Sequence, residues 1–190
     1  PSPTLLRPAS LKDLGLVWVC ANDPLTRAAS LQSAPISYTT HQAWFEARLR
    51  DLDLRPEDAE SSWLSVGRMW IAERDGEPVS FVRLDPAYRY EWSDADRSTE
   101  EGLHPLESDE LIDDRSGVIS VHVSSRSRGE GVGRATLIAL EQLARAEGLT
   151  QLLALIDPLN TRSRSLFESV GYGQIDPDGV EASQRKREPR

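Results

Sequence analysis

The chain has one cysteine, Cys20, in 190 residues, which excludes an internal disulfide framework and a cysteine-based metal centre. It also lacks any run near the ~18 consecutive apolar residues that a membrane-spanning helix needs. Basic charge is scarce: 22 Lys and Arg against 31 Asp and Glu give a net charge of −9. Nucleic-acid binding needs a basic face to neutralise phosphates, so nucleic acid is not an expected partner. Apolar residues are only 38% of the chain, yet they fall into periodic runs, which argues against global disorder. The opening Pro1-Ser2-Pro3 has none of the basic-then-apolar pattern of a secretion signal. What these absences leave is a soluble, cytoplasmic protein without a metal or membrane role. Its length suits one domain over residues 1–190.

The periodicities that are present predict the elements. Thr4 to Leu6 reads as a short strand. Ser10 with Asp13 reads as a capping box, opening a helix with Leu14, Val17, Trp18 and Ala21 on its buried face. Asn22-Asp23-Pro24 reads as the stop of that helix. Thr39 and Gln42 stand at the spacing of a second capping box, before a helix with Phe45, Leu49 and Leu52 inward. Strands are expected from Leu64 to Ile71 and from Val79 to Leu84, joined by a hairpin at Asp75-Gly76. From Pro86 to Ser116 there are ten acidic residues against three arginines, which reads as an acidic surface excursion. Tyr88, Tyr90 and Trp92 alternate as if the strand ran on into it.

The second half reads strand, helix, strand, helix. Val118, Ile119, Val121 and Val123 form a β-branched run. A helix is expected from Gly131 to Glu147, with Val132, Ala135, Ala139, Leu140 and Leu143 on one stripe and Gly148 as its left-handed stop. Leu152 to Ile156 reads as a buried strand. Asn160 to Val170 reads as a helix with Ser163, Leu166, Phe167 and Val170 inward. Strands after Tyr172 are hard to discern: Val180 is the last strong apolar residue. The polar tail Gln184 to Arg190 is expected to be frayed or to pair with a second subunit.

The segment Arg128-Gly129-Glu130-Gly131-Val132-Gly133-Arg134 joins a β-branched strand to an amphipathic helix. Glycines there let the backbone aim several N–H groups at one point, and the helix N-terminus adds positive potential. Such a cradle suits a diphosphate, and it lets an acidic protein bind a highly charged cofactor. A P-loop would need Gly-Lys-Ser/Thr where Arg134-Ala135-Thr136 stands, and a dinucleotide fingerprint would need glycine at Thr136. Neither reading fits.

The spacing Arg128-x-x-Gly131-x-Gly133 resembles the coenzyme A motif of the GNAT acetyltransferase superfamily, with Val123 at the usual end of the preceding strand. Asn160, Ser163, Leu166-Phe167 and Gly171-Tyr172 resemble that family's second signature. The resemblance runs from about Val118 to Tyr172. It implies an α/β GNAT fold: a mixed, mostly antiparallel sheet whose strands 4 and 5 splay apart, flanked by helices. It further implies acetyl-CoA in the gap, its pantetheine against Val121 and Val123 and its pyrophosphate on the amides from Arg128 to Arg134. Asn160 and Phe167 would then stand along the cofactor arm. The N-terminal motifs Arg7-Pro8-Ala9, Asn22-Asp23-Pro24-x-x-Arg27 and Ile36-Ser37-Tyr38-x-x-His41-x-x-Trp44-Phe45 are similar to acetyltransferases of nucleotide-linked amino sugars in the pseudaminic-acid pathway. That similarity makes Arg27 and His41 candidates for substrate contact. The resemblance is also compatible with a homodimer.

The reaction implied is acetyl transfer to a primary amine of a small molecule. The Val121 and Val123 amides are candidate donors to the acetyl oxygen. By the two-residue period of a strand, His122 and Ser120 share a face, and His122 is the candidate general base because an ordinary imidazole titrates near ~6.5. Its plain alternative is a surface histidine. Two expected parts are missing. Phe167 stands where the family often has a tyrosine acid, and Val118 where the nucleotide-sugar relatives have glutamate. Acidic residues from Glu107 to Asp114 would favour a cationic acceptor instead, such as a polyamine, an antibiotic or a protein N-terminus. The absent groups also suggest an alternative of another class, a non-catalytic acyl-CoA binder. His104 adds nothing to either reading.

Overall fold

The computed structural model describes residues 2–30, 33–53, 67–87, 115–157, 159–175 and 183–187. Strand β1 (Leu5–Pro8) leads through a single 3-10 turn into helix α1 (Leu14–Ala21). The capping-box carboxylate is in place: Asp13 Oδ2 accepts from the Ser10 N–H at 2.8 Å. The same carboxylate takes two hydrogen bonds from the Arg7 guanidinium, which anchors β1 to the turn. α1 buries Leu14, Val17 and Cys20. Trp18 is only half-buried, and its indole donates to the Ile36 carbonyl at 2.9 Å.

Asn22-Asp23-Pro24 does more than stop α1. Asp23 caps a second helix, α2 (Pro24–Ala28), accepting from the Leu25 and Thr26 N–H groups, with Pro24 in the first turn. One sequence ends a helix and starts another because proline tolerates the first turn and aspartate satisfies its open N–H groups. Helix α3 (Tyr38–Asp53) begins two residues earlier than a cap at Thr39 implies. Ser37 is the residue that accepts from the Thr40 N–H, while Gln42 turns along the helix to Glu46.

Strands β2 (Arg68–Arg74) and β3 (Glu77–Pro86) form the expected hairpin. Its turn residues Asp75 and Gly76 both have positive φ, 54° and 79°, as a tight right-twisted hairpin requires. Leu64, the alternating aromatics, His104, the acidic excursion from residue 88 to 114 and Val180 lie outside the described residues. The chain re-enters with β4 (Ser116–Val123), followed by α4 (Val132–Ala146), β5 (Gln151–Leu155), α5 (Thr161–Ser169), β6 (Gly173–Ile175) and β7 (Ser183–Arg187). Gly148 takes the left-handed stop at φ 85°.

The sheet order is β1-β2-β3-β4-β5-β7-β6. All neighbours are antiparallel except β4 and β5. The reading of Gln184 to Arg190 as frayed or as paired with a second subunit is corrected for its described part: Ser183–Arg187 lies between β5 and β6 in this chain's own sheet. Its polar sequence hid it, since ladder pairing rather than apolar alternation places it.

Each face of the sheet has its own core. Met69, Ile71 and Phe81 pack against Leu14, Val17 and Phe45 of α1 and α3. On the other face Trp70, Val82, Leu84 and Ile119 pack against Leu137, Leu140 and Ala144 of α4 and Phe167 of α5. Fully burying a side chain of this kind contributes about 1.5–3 kcal/mol, so both layers hold the sheet rigid. α4 is rotated from its expected stripe. It buries Val132, Thr136, Leu137, Leu140 and Ala144, leaving Leu143 36% exposed. The larger Leu137 takes the sheet-facing place in preference to Ala135 and Ala139.

Candidate functional site

β4 and β5 pair only at Ser116↔Gln151, Gly117↔Leu152 and Val118↔Leu153. Beyond Val118 the two strands part, and the edge of β4 from Ile119 to Val123 has no ladder partner on that side. The Ser124 N–H bonds the Val79 carbonyl on β3 at 2.9 Å. Ladder direction alternates by two along an antiparallel pair, so Val121 and Val123 aim their N–H groups at the open edge. These are the two amides expected to serve as donors.

The gap opens into a cleft of about 760 Å³, inside the range of roughly 300–1,000 Å³ common for small-molecule sites. Its walls are Ile119 to Val123 of β4, the turn before α4, Leu155 and Ile156 after the splay, and one side of α5. Ser120, Val121, His122, Val123, Arg128, Gly129, Gly131, Val132, Gly133, Arg134, Asn160 and Phe167 all contribute to it. Glu130 does not. Its exposed carboxylate lies 3.8 Å from Arg74, and its carbonyl accepts from the same guanidinium.

The two motif glycines do different work. Gly131 caps α4 in the left-handed region, at φ 75°, and a Cβ placed there would meet nothing within 4 Å. Gly131 is also the residue before the first N–H groups of α4, which have no partner inside the helix. A ligand phosphate fits there on both grounds. Gly133 instead lets α4 approach its neighbours: a Cβ would lie 3.0 Å from Leu166 Cδ2 and 3.3 Å from Val123 Cγ2. It is a packing glycine within the first turn of α4.

Arg128 is committed to another partner. Its guanidinium pairs with Asp23 Oδ1 at 2.8 Å. Burial alone would raise the Asp23 carboxyl, but Arg128 and the capping N–H groups outweigh it and hold the group low. This pair fastens α2 to the glycine turn before α4, so Leu25, Thr26, Ala29 and Ser30 become a wall of the cleft. Sequence reasoning missed these residues, and Arg162 as well. The signal for α2 was present in Asp-Pro, which opens helices as readily as it ends them.

Asn160 caps α5: its Oδ1 accepts from the Ser163 N–H at 3.1 Å. The amide oxygen is thus engaged, and the Nδ2 end is the part available to the cleft. Phe167 is 2% exposed and meets Tyr172 edge-on, with ring centroids 4.9 Å apart. It shapes the floor of the cleft and has no proton to give.

His122 is not an outward surface histidine. It lines the cleft and lies against Phe81, centroids 6.0 Å apart. Burial, followed by the charges of Arg83, Arg27 and Arg128, pushes its pKa down to about 4. The ring is therefore neutral at pH 7, and a much weaker base than the ordinary imidazole of the sequence reading. Ser120 stands on the same face, opposite Arg83 across the ladder. Val118, where a glutamate was expected, is buried with Ala87 and Leu153.

Arg27 and His41 stand beside the cleft and do not line it. His41 is 4% exposed, between Trp44 and Phe45, with centroids 5.2 and 6.4 Å away. Burial and then the charge of Arg27 lower its pKa. Among the described residues no group of three or more His, Cys, Asp or Glu stands close enough to hold a metal, and no helix is long and apolar enough to cross a membrane.

Known proteins resemble this chain in sequence and in fold. The chain is 28% identical over 124 residues to a mycothiol acetyltransferase of Thermobispora bispora, a match covering 65% of this chain and 35% of that protein. It thus spans about a third of the length of the curated relatives it matches. A solved aminoglycoside acetyltransferase AAC(6')-Ib in complex with coenzyme A superposes with a TM-score of 0.68 at 17% identity, covering 97% of this chain and 94% of that one. A ribosomal-protein-alanine N-acetyltransferase from Brucella melitensis superposes at 0.63 and 23% identity, covering 97% and 99%. At such identities these two structures speak for the fold alone. The family model for the acetyltransferase (GNAT) family matches residues 37–172, which takes in the splayed strands, the glycine turn before α4 and α5. The chain belongs to the acetyltransferase (GNAT) family.

Proposed function

We propose that this chain transfers the acetyl group of acetyl-CoA to a primary amine of a small molecule. One observation carries the reading: the open edge of β4 runs straight into the N–H cradle at the start of α4, in a single cleft. The cradle suits the diphosphate, and the β4 edge suits an extended, amide-bearing arm. The name borne by the matched relatives, mycothiol acetyltransferase, supports acetyl transfer as the chemistry.

Bound acetyl-CoA supplies an activated thioester, whose acyl carbon is open to attack by an amine. The amides of Val121 and Val123 would donate to the acetyl oxygen as negative charge grows there. Walls from α2 and α5 would hold the reacting atoms together and limit water, and positioning of this kind is worth up to about 7–11 kcal/mol. The neutral His122 ring would accept a hydrogen bond from the incoming amine and orient its lone pair. With a pKa near 4 it is a poor sink for a full proton, so the amine's proton would leave through solvent. Phe167 offers no acid to the departing thiolate, and solvent would protonate it too. The acceptor reading that accompanies this is a nucleotide-linked amino sugar, with Arg27 and His41 as contacts. Support for it is their position beside the cleft, near enough to His122 for both to bear on its charge.

Calorimetric titration with acetyl-CoA, paired with thiol release over an amine panel, tests the proposal. Gly131→Ala places a methyl in the cradle's open space and strains a left-handed residue by about 1–2 kcal/mol. Acetyl-CoA affinity should fall at least about tenfold, more than the small stability loss explains. Unchanged affinity in the folded variant would reject the cradle. Tight binding without turnover of any amine would point to a non-catalytic acyl-CoA binder.

A further inference from the structure

We infer that Arg74, at the end of β2, is a positioning residue for the cofactor: it holds the Glu130–Gly131 peptide with its N–H turned into the cleft. The inference rests on the acetyl-CoA reading and names a residue outside the cleft on which diphosphate affinity depends.

The end of the β2–β3 hairpin and the start of α4 share one apolar cluster, in which Ala72 and Val79 pack with Val132. Arg74 follows two residues after Ala72, and its side chain is 16% exposed. Its Nη1 donates to the Glu130 carbonyl at 3.3 Å and stands 3.8 Å from the Glu130 carboxylate. Among the described residues no other carboxylate stands within ion-pair distance of Arg74.

A trans peptide is planar, with its C=O and N–H on opposite sides. A Glu130 carbonyl directed at Arg74 therefore sends the Gly131 N–H the other way. Gly131 lines the cleft and Glu130 does not, which puts the cleft on the N–H side. The Gly131 N–H has no hydrogen-bond partner among the described residues. It is open to a phosphate oxygen.

The turn itself gives this peptide little hold. Gly129 and Gly131 both have positive φ, 81° and 75°, and glycine moves between backbone regions at little steric cost. A half-turn of the Glu130–Gly131 peptide would aim a carbonyl oxygen at the diphosphate and remove a donor. Arg74 opposes that half-turn from a separate element. Of its two contacts the carbonyl bond carries the effect: Glu130 is 61% exposed, and an exposed ion pair at 3.8 Å contributes little.

The test is calorimetric titration of the parent and of Arg74→Gln with acetyl-CoA and with ADP, which has the diphosphate without the pantetheine arm. Both affinities should fall by about two- to tenfold, the scale of one hydrogen bond. In turnover the acetyl-CoA KM should rise by the same factor while kcat at saturation holds. The loss should persist in about 1 M salt, where charges are screened beyond roughly 3 Å. A loss that vanishes there would make Arg74 a distant attracting charge and overturns the inference. Glu130→Gln keeps the carbonyl and removes only the ion pair, so acetyl-CoA should bind to it at least as tightly as to the parent; a loss equal to that of Arg74→Gln overturns the carbonyl role. Should Arg74→Gln fold poorly, the parent supplies the second measurement. Its Gly131 amide resonance should shift on adding ADP, and binding without that shift overturns the inference. A parent that binds neither ligand rejects the cofactor reading and the inference with it. A parent that binds both, matched by Arg74→Gln, rejects the inference alone.

Discussion

His122 occupies a place where a proton is unwelcome. Its pKa, about 4 in the folded chain, is ~6.5 when unfolded. Between these values the unfolded chain binds a proton that the folded chain refuses. Stability tied to this ring is thus fully present above pH ~6.5 and is lost as pH falls toward 4. Two measurements follow. The ring's nitrogen resonances should stay those of neutral imidazole from pH 8 to 5.5, and denaturant stability should decline below 6.5 less steeply in His122→Gln. A titration midpoint near 6.5 would place the ring outside the buried setting described. The glycines make a parallel case at the same scale. Gly131→Ala acts on the ligand, whereas Gly133→Val would drive a branched side chain into Leu166 and Val123. Its cost should be about 1–3 kcal/mol of stability, visible in thermal unfolding without any ligand. A Gly133→Val protein as stable as the parent would mean α4 and α5 are not in the contact described.

At the scale of elements, the Arg128–Asp23 pair is the part most particular to this chain. α2 is only five residues long, too short to hold itself. It stands against the cleft because Asp23 both caps it and pairs with Arg128 in the turn before α4. Asp23→Asn preserves an oxygen for the cap and removes the charge. The acceptor KM should then rise several-fold as the α2 wall loosens, while that for acetyl-CoA stays level or falls as Arg128 turns to the diphosphate. Asp23→Ala should add about 1 kcal/mol of lost stability, the ordinary cost of a missing cap. A rise in the acetyl-CoA KM alone would contradict the wall role. The elements also show what a sequence reveals. Asp75-Gly76, Gly148 and the Arg128–Gly133 turn were legible because each is local chemistry: positive φ or open N–H groups demand those residues within a few positions. α2 was missed, although the helix stop before it was read correctly, because Asp-Pro answers two local demands at once. β7 was illegible because its place depends on partners more than 25 residues away in β5. The depressed basicity of His122 was illegible for the same reason, since Arg83 and Arg27 reach it only in the folded chain.

At the scale of the molecule, one sheet has to be rigid on both sides of a gap. The three register pairs between β4 and β5 close the gap at one end. Past them, the β5 half of the cleft keeps its position through its other edge, where Gln151–Leu155 pairs residue for residue with Arg187–Ser183. β7 therefore braces the wall that carries Leu155 and Ile156, and through β5 the start of α5. Arg185 is the informative position, paired with Leu153 on one side and Gly173 on the other. Proline there removes a ladder N–H from a strand with neighbours on both edges, a place sheets do not tolerate it. Arg185→Pro should lower the unfolding temperature and speed amide exchange in β5 and β6, leaving the β2–β3 hairpin protected. Acetyl-CoA affinity should fall with it, since one wall of the cleft loses its brace while the cradle at Gly131 is untouched. If the segment were a frayed tail, the substitution would change none of these readings. Protection of β5 amides against exchange is thus the single measurement that decides whether the cleft is held from one side or from both.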